Sequence, residues 1–172
     1  MNEDLYYYSG GKRIALEFDT KHVAIDLDRI ESTALREEIE AVLEETEETG
    51  KTTRLRRKLH LAYKKDVRQG LRTRLEKTGA LQPVFRHGRT LMVALPEVRI
   101  EVEKRKEGSS IEQMFGNEGP DVEIVNDQGN RLTIRPMTGS GLDALRLANE
   151  VEETTQPLMA QARFVRVVPK PG

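Results

Sequence analysis

One pattern occurs twice in this chain and limits what it can fold into. It consists of an aromatic residue, a glycine turn, an arginine, an apolar run, a break, and a strand of the form xVxIx followed by an acid. The first copy is residues 6–28, YYYSGGKRIALEFDTKHVAIDLD, and the second is residues 84–103, VFRHGRTLMVALPEVRIEVE. Tyr8 aligns with Phe85, Arg13 with Arg89, Val23 with Val98 and Ile25 with Ile100. Ile14, Leu16 and Phe18 alternate with other residues, as do Val23, Ile25 and Leu27, so each segment has one apolar face. A period of two is a strand period, because successive strand side chains point to opposite faces. Two glycine-turn hairpins, each feeding a further strand, commit much of the chain to antiparallel sheet.

Helical periodicity fills the space between the copies. Ile30, Ala34, Leu35, Ile39, Val42 and Leu43 recur at three- and four-residue intervals and predict a helix over 30–49. Its polar face is almost wholly acidic: Glu37, Glu38, Glu40, Glu44, Glu45, Glu47 and Glu48. Gly50 ends it, and Thr52 or Thr53 can cap a second helix over 54–77. There Leu55, Leu59, Tyr63, Val67, Leu71 and Leu75 recur every four residues among many lysines and arginines. The two are expected to fold back as a helical hairpin, 30–77, in which acid and base partly neutralise each other.

Strands are predicted at 82–86, 89–95 and 97–103, with a break at Pro96. Ser109 or Ser110 can open a short helix through Phe115. Residues 122–136 read as a hairpin around the turn DQGN, with Val122, Ile124, Leu132 and Ile134 on the apolar face. SGLD has the form of a capping box and opens a helix over 140–153 that buries Leu142, Leu145, Ala148 and Val151. ARFVRVVP is a final strand. The fold class is α+β. The second half has a β-α-β-β-α-β order, the ferredoxin-like plan, and the first half uses the same plan with the helical hairpin inserted. Two related lobes with antiparallel sheets are expected, at 1–95 and 96–172.

The same residues exclude several chemistries. There is no cysteine, hence no disulfide or thiolate metal site, and His22, His60 and His87 have no ligand spacing. Ser9, Ser109, Ser110 and Ser140 occupy turn or cap positions, and no Gly-x-Ser-x-Gly elbow occurs. His87 reads as a turn residue beside Gly88, and TGSGLD as a helix cap without the lysine of a phosphate loop. The expectation is a chain with no catalytic residue, metal, cofactor or small-molecule substrate. Net charge is -1, and the acidic helix would repel a phosphate backbone, which argues against nucleic acid as a partner. No apolar run is long enough to span a membrane and MNEDLYYY has no signal-peptide core, so the chain as it stands reads as cytoplasmic. A longer parent protein would change that address.

LTIRPMTGSGLDALRLANEVEETTQPLMAQARFVRVV, residues 132–168, resembles the end of the N-terminal prodomain of bacterial subtilisin-like serine proteases. The likeness runs through Ala144, Leu145, Leu147, Ala148, Asn149 and Glu150, then Ala160, Phe164 and Arg166. YYYSGGKRIAL resembles the start of the same prodomains. Ala162 stands where that family has proline, TTQPLM replaces its Gly-Leu-Val link, and no protease motif such as Gly-Thr-Ser-x-Ala is present. The resemblance implies a non-catalytic, protein-binding module, an inhibitor and intramolecular chaperone of a subtilisin-like protease. Its C-terminal strand, Phe164, Val165, Arg166, Val167, Val168 and Pro169, would extend across the protease cleft as an added strand. Asp127, at a hairpin tip, would cap helix N-termini on the partner. The alternative is a repurposed prodomain fold, an adaptor or regulatory partner in a multi-protein bacterial system, with the helical hairpin as a second surface.

Overall fold

The computed structural model describes residues 5–48, 50, 52–56, 58–105, 108, 121–155 and 157–168. The protein is α+β, with two antiparallel sheets and, among the described residues, three α-helices. None of these helices is long and apolar enough to cross a membrane. The chain divides into two compact units: Met1–Glu17 with Ala94–Phe164, and Phe18–Val93 with Val165–Gly172. Residues up to Glu17, which carry most of the N-terminal hairpin, are grouped with Ala94–Phe164.

In the unit of Phe18–Val93, the elements are β3 (His22–Asp26), α1 (Thr33–Glu48), β4 (Thr52–Arg56), β5 (Leu59–Tyr63), α2 (Gln69–Thr78) and β6 (Leu81–Gln82). The sheet order is β4-β5-β3-β6 with every neighbour antiparallel. β3 pairs with β5 from His22 against Tyr63 to Asp26 against Leu59. Ser32 starts α1 by accepting the Leu35 N–H at 3.2 Å. Ile39 and Leu43 of α1 and Leu75 of α2 pack on Ile25, Ala62 and Leu27 to make the core. Gly50 and Gly79 take positive φ, 77° and 74°, and close the two helices, a conformation costly for any other residue.

The expected helical hairpin over 30–77 is not what forms. Its first arm is α1, but Thr52–Arg56 and Leu59–Tyr63 are the paired strands β4 and β5, and of the second arm Gln69–Thr78 is α-helical after a single 3-10 turn at Lys64–Asp66. The spacing of Leu55, Leu59 and Tyr63 fits a helix, yet Leu59, Leu61 and Tyr63 also alternate. Thr52 and Thr53 favour extended backbone. The choice between the periods is made by β3, whose open edge takes β5 as a neighbour.

Beyond β6, β7 (Val84–His87) turns at Gly88 into β8 (Thr90–Glu101), pairing Val84 with Val93 and His87 with Thr90. β8 then passes into the other unit without the break expected at Pro96. Its pairing with β7 ends at Val93 and its pairing with β10 begins at Val98, so the missing N–H of Pro96 falls between the two ladders.

The unit of Met1–Glu17 and Ala94–Phe164 holds β1 (Leu5–Ser9), β2 (Lys12–Phe18), the later part of β8, β9 (Val122–Asp127), β10 (Arg131–Pro136), α3 (Gly141–Thr155) and β11 (Met159–Val167). β11, β8, β10 and β9 are successive neighbours in its sheet. The short helix expected from Ser109 or Ser110 through Phe115 lies outside the described residues. α3 opens on half of the expected capping box: the Asp143 N–H donates to Ser140 Oγ at 3.3 Å, but the Asp143 carboxylate accepts the Thr138 hydroxyl at 2.7 Å and the Ser140 N–H donates to Thr138 Oγ1 at 3.4 Å. It buries Ala144, Leu145, Leu147, Ala148 and Val151, and the sheet buries Val98, Ile100, Leu132 and Ile134. Leu142, expected with them, is half-buried. Ile124, also expected inside, is 40% exposed, because β9 is an edge strand bonded only to β10 on this sheet path.

In the first copy of the pattern the β1–β2 hairpin precedes the core strand β3, and in the second β7 turns into β8, which is itself the core strand. The residue equivalences between the copies also shift. The turn pair Ser9–Lys12 corresponds to His87–Thr90, which places Tyr7, not Tyr8, at the position of Phe85.

Candidate functional site

The C-terminal strand is the surface the resemblance singles out. β11 pairs with β8, and its first part keeps strict alternation, with Ala160 and Ala162 buried. Phe164 does not project freely. Its ring meets that of Tyr7 at 5.4 Å between centroids and 62° between planes. Past this anchor Val165 and Val167 are half-buried, while Arg166 and Val168 are exposed, Val168 to 69%. Pro169 lies outside the described residues. Of the side chains expected to meet a partner, Arg166 and Val168 are the ones presented outward.

Asp127 is engaged within the chain. One carboxylate oxygen accepts Arg105 Nη1 at 2.6 Å and the Gly129 N–H at 2.9 Å, the other Arg105 Nη2 at 3.2 Å and the Gly108 N–H at 2.9 Å. These charge-assisted bonds, from Arg105 first and then the two amides, hold its carboxyl well below the usual carboxylate range. With four donors already on it, Asp127 serves to close the β9–β10 turn against Arg105, and capping a partner helix would require giving up part of that set.

Next to β11 a polar cluster fixes the N-terminal hairpin on α3. Asn149, buried to 9% exposure, donates Nδ2–H to the Tyr6 carbonyl at 2.9 Å. One turn along the helix, Glu153 accepts the hydroxyls of Tyr6 at 2.5 Å and Tyr8 at 2.9 Å. The Arg13 guanidinium lies 4.1 Å from the Tyr6 ring centroid and 3.3 Å from the same Glu153 oxygen. The tyrosine hydroxyls, Tyr6 first, lower the Glu153 carboxyl. Gln161 of β11 completes the clasp by donating to the Tyr8 carbonyl at 3.3 Å. Asn149 and the aromatic start of the chain are the residues that carry the resemblance.

The same unit has a charged row across its sheet. Glu97 on β8 accepts Arg163 of β11 at 2.7 Å and Arg135 of β10 at 3.1 Å. Burial pushes the Glu97 carboxyl up, but the two guanidiniums, Arg163 foremost, outweigh it and leave it lowered. The row makes this face polar beside the exposed end of β11.

Two titratable groups in the unit of Phe18–Val93 escaped the sequence reading. Asp19, whose side chain is 1% exposed, accepts the Lys21 and His22 amides, His22 Nδ1 at 2.9 Å and Arg86 at 2.7 Å. Burial pushes this carboxyl up, yet Arg86, then the His22 ring and the two amides, bring it down to about 2. His60, 3% exposed, has a buried Nδ1 with no hydrogen-bond partner among the described residues, and burial, then the charge of Arg54, lowers its pKa. Only Arg86 and His22 could have been linked to Asp19 by inspection, and Arg86 lies 67 residues away. Among the described residues, no group of three or more His, Asp or Glu side chains is placed to hold a metal ion.

Comparison with protein-family models, with curated proteins and with solved structures finds no match for this chain.

Proposed function

We propose that the chain is a non-catalytic protein-binding module of the subtilisin-prodomain kind, which inhibits and helps fold a subtilisin-like protease through its C-terminal strand. The observation that carries this reading is the end of β11. Phe164 is anchored on Tyr7, and immediately beyond it Arg166 and Val168 are exposed on extended chain. An anchored strand that presents side chains outward at its end is pre-organised to meet a partner, so less ordering entropy opposes binding.

The sheet orders support reading each unit as a ferredoxin-like lobe. In β4-β5-β3-β6 and in β11-β8-β10-β9 alike, the first and third strands in chain order lie centrally and the second and fourth flank them. The first lobe needs no inserted hairpin to fit this plan, and the feature that favoured an adaptor role is gone with it. The inhibitor reading is the one retained.

The test is inhibition of a panel of subtilisin-like proteases by the intact chain and by a chain ending at Val165, which keeps Phe164 on Tyr7. The intact chain should inhibit at least one at one-to-one stoichiometry. The shortened one should be weaker by roughly 100-fold, the scale lost when a few central contacts go, with an unchanged melting curve. Equal inhibition by the two forms removes the strand mechanism, and no inhibition of any protease removes the reading.

A further inference from the structure

The unit of Phe18–Val93 contains an open cleft of about 620 Å³ lined by Thr20, Lys21, Tyr63, Lys64, Lys65 and Arg72. Four of these six residues are cationic and none is acidic. That is unusual in a chain whose net charge is -1. Elsewhere in the same unit, three basic residues are matched by acids of α1: Arg54 with Glu47, Lys58 with Glu40 and Arg74 with Glu38. Among the described residues, Lys21, Lys64, Lys65 and Arg72 form no ion pair. Arg72 Nε is buried and has no hydrogen-bond partner among them. A bound anion relieves the mutual repulsion of like charges around one cleft and offers the buried Arg72 Nε an acceptor.

The walls are held before any ligand arrives. The Lys64 N–H donates to the Lys21 carbonyl at 2.7 Å, joining the two chain segments that carry three of the cations. Tyr63, 44% exposed, packs its ring 4.4 Å from that of His22, which Asp19 fixes in turn. Lys65 Nζ lies 5.5 Å from the Tyr63 ring centroid. The volume falls within the roughly 300–1,000 Å³ of small-ligand sites.

We propose that this cleft binds a small anion with two or more linked phosphates, of the pyrophosphate or nucleoside-diphosphate class. One carboxylate or one orthophosphate leaves most of the four charges unmatched, whereas linked phosphates present three or four negative charges. Arg72 provides a planar fork for two phosphate oxygens, the lysines provide compact charges, and Thr20 and Tyr63 carry hydroxyl donors. A nucleic-acid backbone offers the same phosphate chemistry but needs an extended basic track. Here three other bases of the unit, Arg54, Lys58 and Arg74, are bound to acids of α1, whose glutamates would repel a long polyanion.

The test is calorimetric titration of the full chain at about 50 and 200 mM salt with pyrophosphate, orthophosphate, ADP and a short oligothymidylate. Pyrophosphate or ADP should bind once per chain and at least tenfold more tightly than orthophosphate. Lys64→Gln with Arg72→Gln should weaken that binding by at least tenfold. Arg74→Gln, which removes one charge already matched by Glu38, should change it by less than about twofold. Lys21→Gln, on a different segment, gives a second reading should the double variant fold poorly, and it too should weaken binding several-fold. No saturable binding, or an equal loss with Arg74→Gln, overturns the proposal. Tighter binding of the oligothymidylate than of pyrophosphate also overturns it, in favour of a nucleic-acid surface.

Discussion

Gly141 opens α3 directly over the backbone of Ala94: a Cβ placed on it would lie 2.1 Å from the Ala94 carbonyl oxygen and 2.8 Å from its carbonyl carbon. The obstacle is backbone of the buried strand β8, not the end of a movable side chain. The helix therefore approaches its sheet as closely as a residue without a side chain allows. Gly141→Ala must push the first turn of α3 off β8 or bend β8. We expect a loss of about 1–3 kcal/mol, the usual cost of overpacking, read from urea denaturation. Ala at Gly70, where an added Cβ meets nothing within 4 Å, should be neutral or stabilising by comparison.

The clasp between Asn149 and the Tyr6 carbonyl makes a second prediction. Asn149→Ala leaves a half-buried carbonyl without its donor, at a cost of about 1–3 kcal/mol. The loss should be felt locally first. Amide exchange in β1 should accelerate well before exchange in β10, since β1 is bonded to β2 on one side and depends on α3 for its packing. Uniform acceleration across both strands would mean that the hairpin is held by something other than this contact.

How far these relationships could be read in advance differs between elements. Strands with one buried face, such as β10, announced themselves by alternation, and β2 alternates too although Phe18 is 49% exposed. α1 and α3 announced themselves by their three-and-four spacing, and α3 also by Ser140 as its cap. Residues 52–63 did not, because Leu55, Leu59 and Tyr63 satisfy both periods. The pairing of Ile25 with His60 that decides between them joins residues far apart in the chain. The polar contacts were less legible still. Asn149 was visible as part of a motif, but nothing local points from it to Tyr6. Asp19 looked like a turn residue until Arg86 was brought to it. The lack of acids around Lys21, Lys64, Lys65 and Arg72 is likewise a property of the fold, since in sequence these residues belong to a chain rich in glutamate.

Asp19 sets how the unit of Phe18–Val93 responds to strong acid. Its carboxyl is lowered to about 2 from 3.8 by bonds that exist only in the folded chain. A lowered carboxyl contributes stability that is present above its unfolded pKa and disappears as pH falls through the folded value. The contribution is on the order of 2 kcal/mol, and it should be lost progressively from about pH 4 to about pH 2. Asp19→Asn should remove it at neutral pH and flatten the stability profile in that window. A variant that keeps the parental acid limb would show that Arg86 and His22 do not stabilise the fold through this carboxylate.

His60 acts at milder acidity. It lies on β5 between Ile25 and Arg54, beside a cavity of about 200 Å³ that Glu40, Glu44, Lys58 and Leu27 also line. Burial is the main influence on it, and Arg54 and Lys58 add to burial against the partial opposition of Glu47 and Glu40, so protonation is disfavoured in the folded chain. In the unfolded chain the same ring titrates near its ordinary value of about 6.5. Below that value the unfolded chain binds a proton that the folded chain resists, so this contribution to stability is complete above it and declines as pH falls. His60→Gln carries no titratable group and should lessen the slope of the urea midpoint between about pH 6.5 and 5, whatever it does to the midpoint at pH 8. Because the comparison is of slopes, a general destabilisation by the substitution cannot imitate the result. Parallel profiles for the two proteins would place the neutral-to-acid response on other groups.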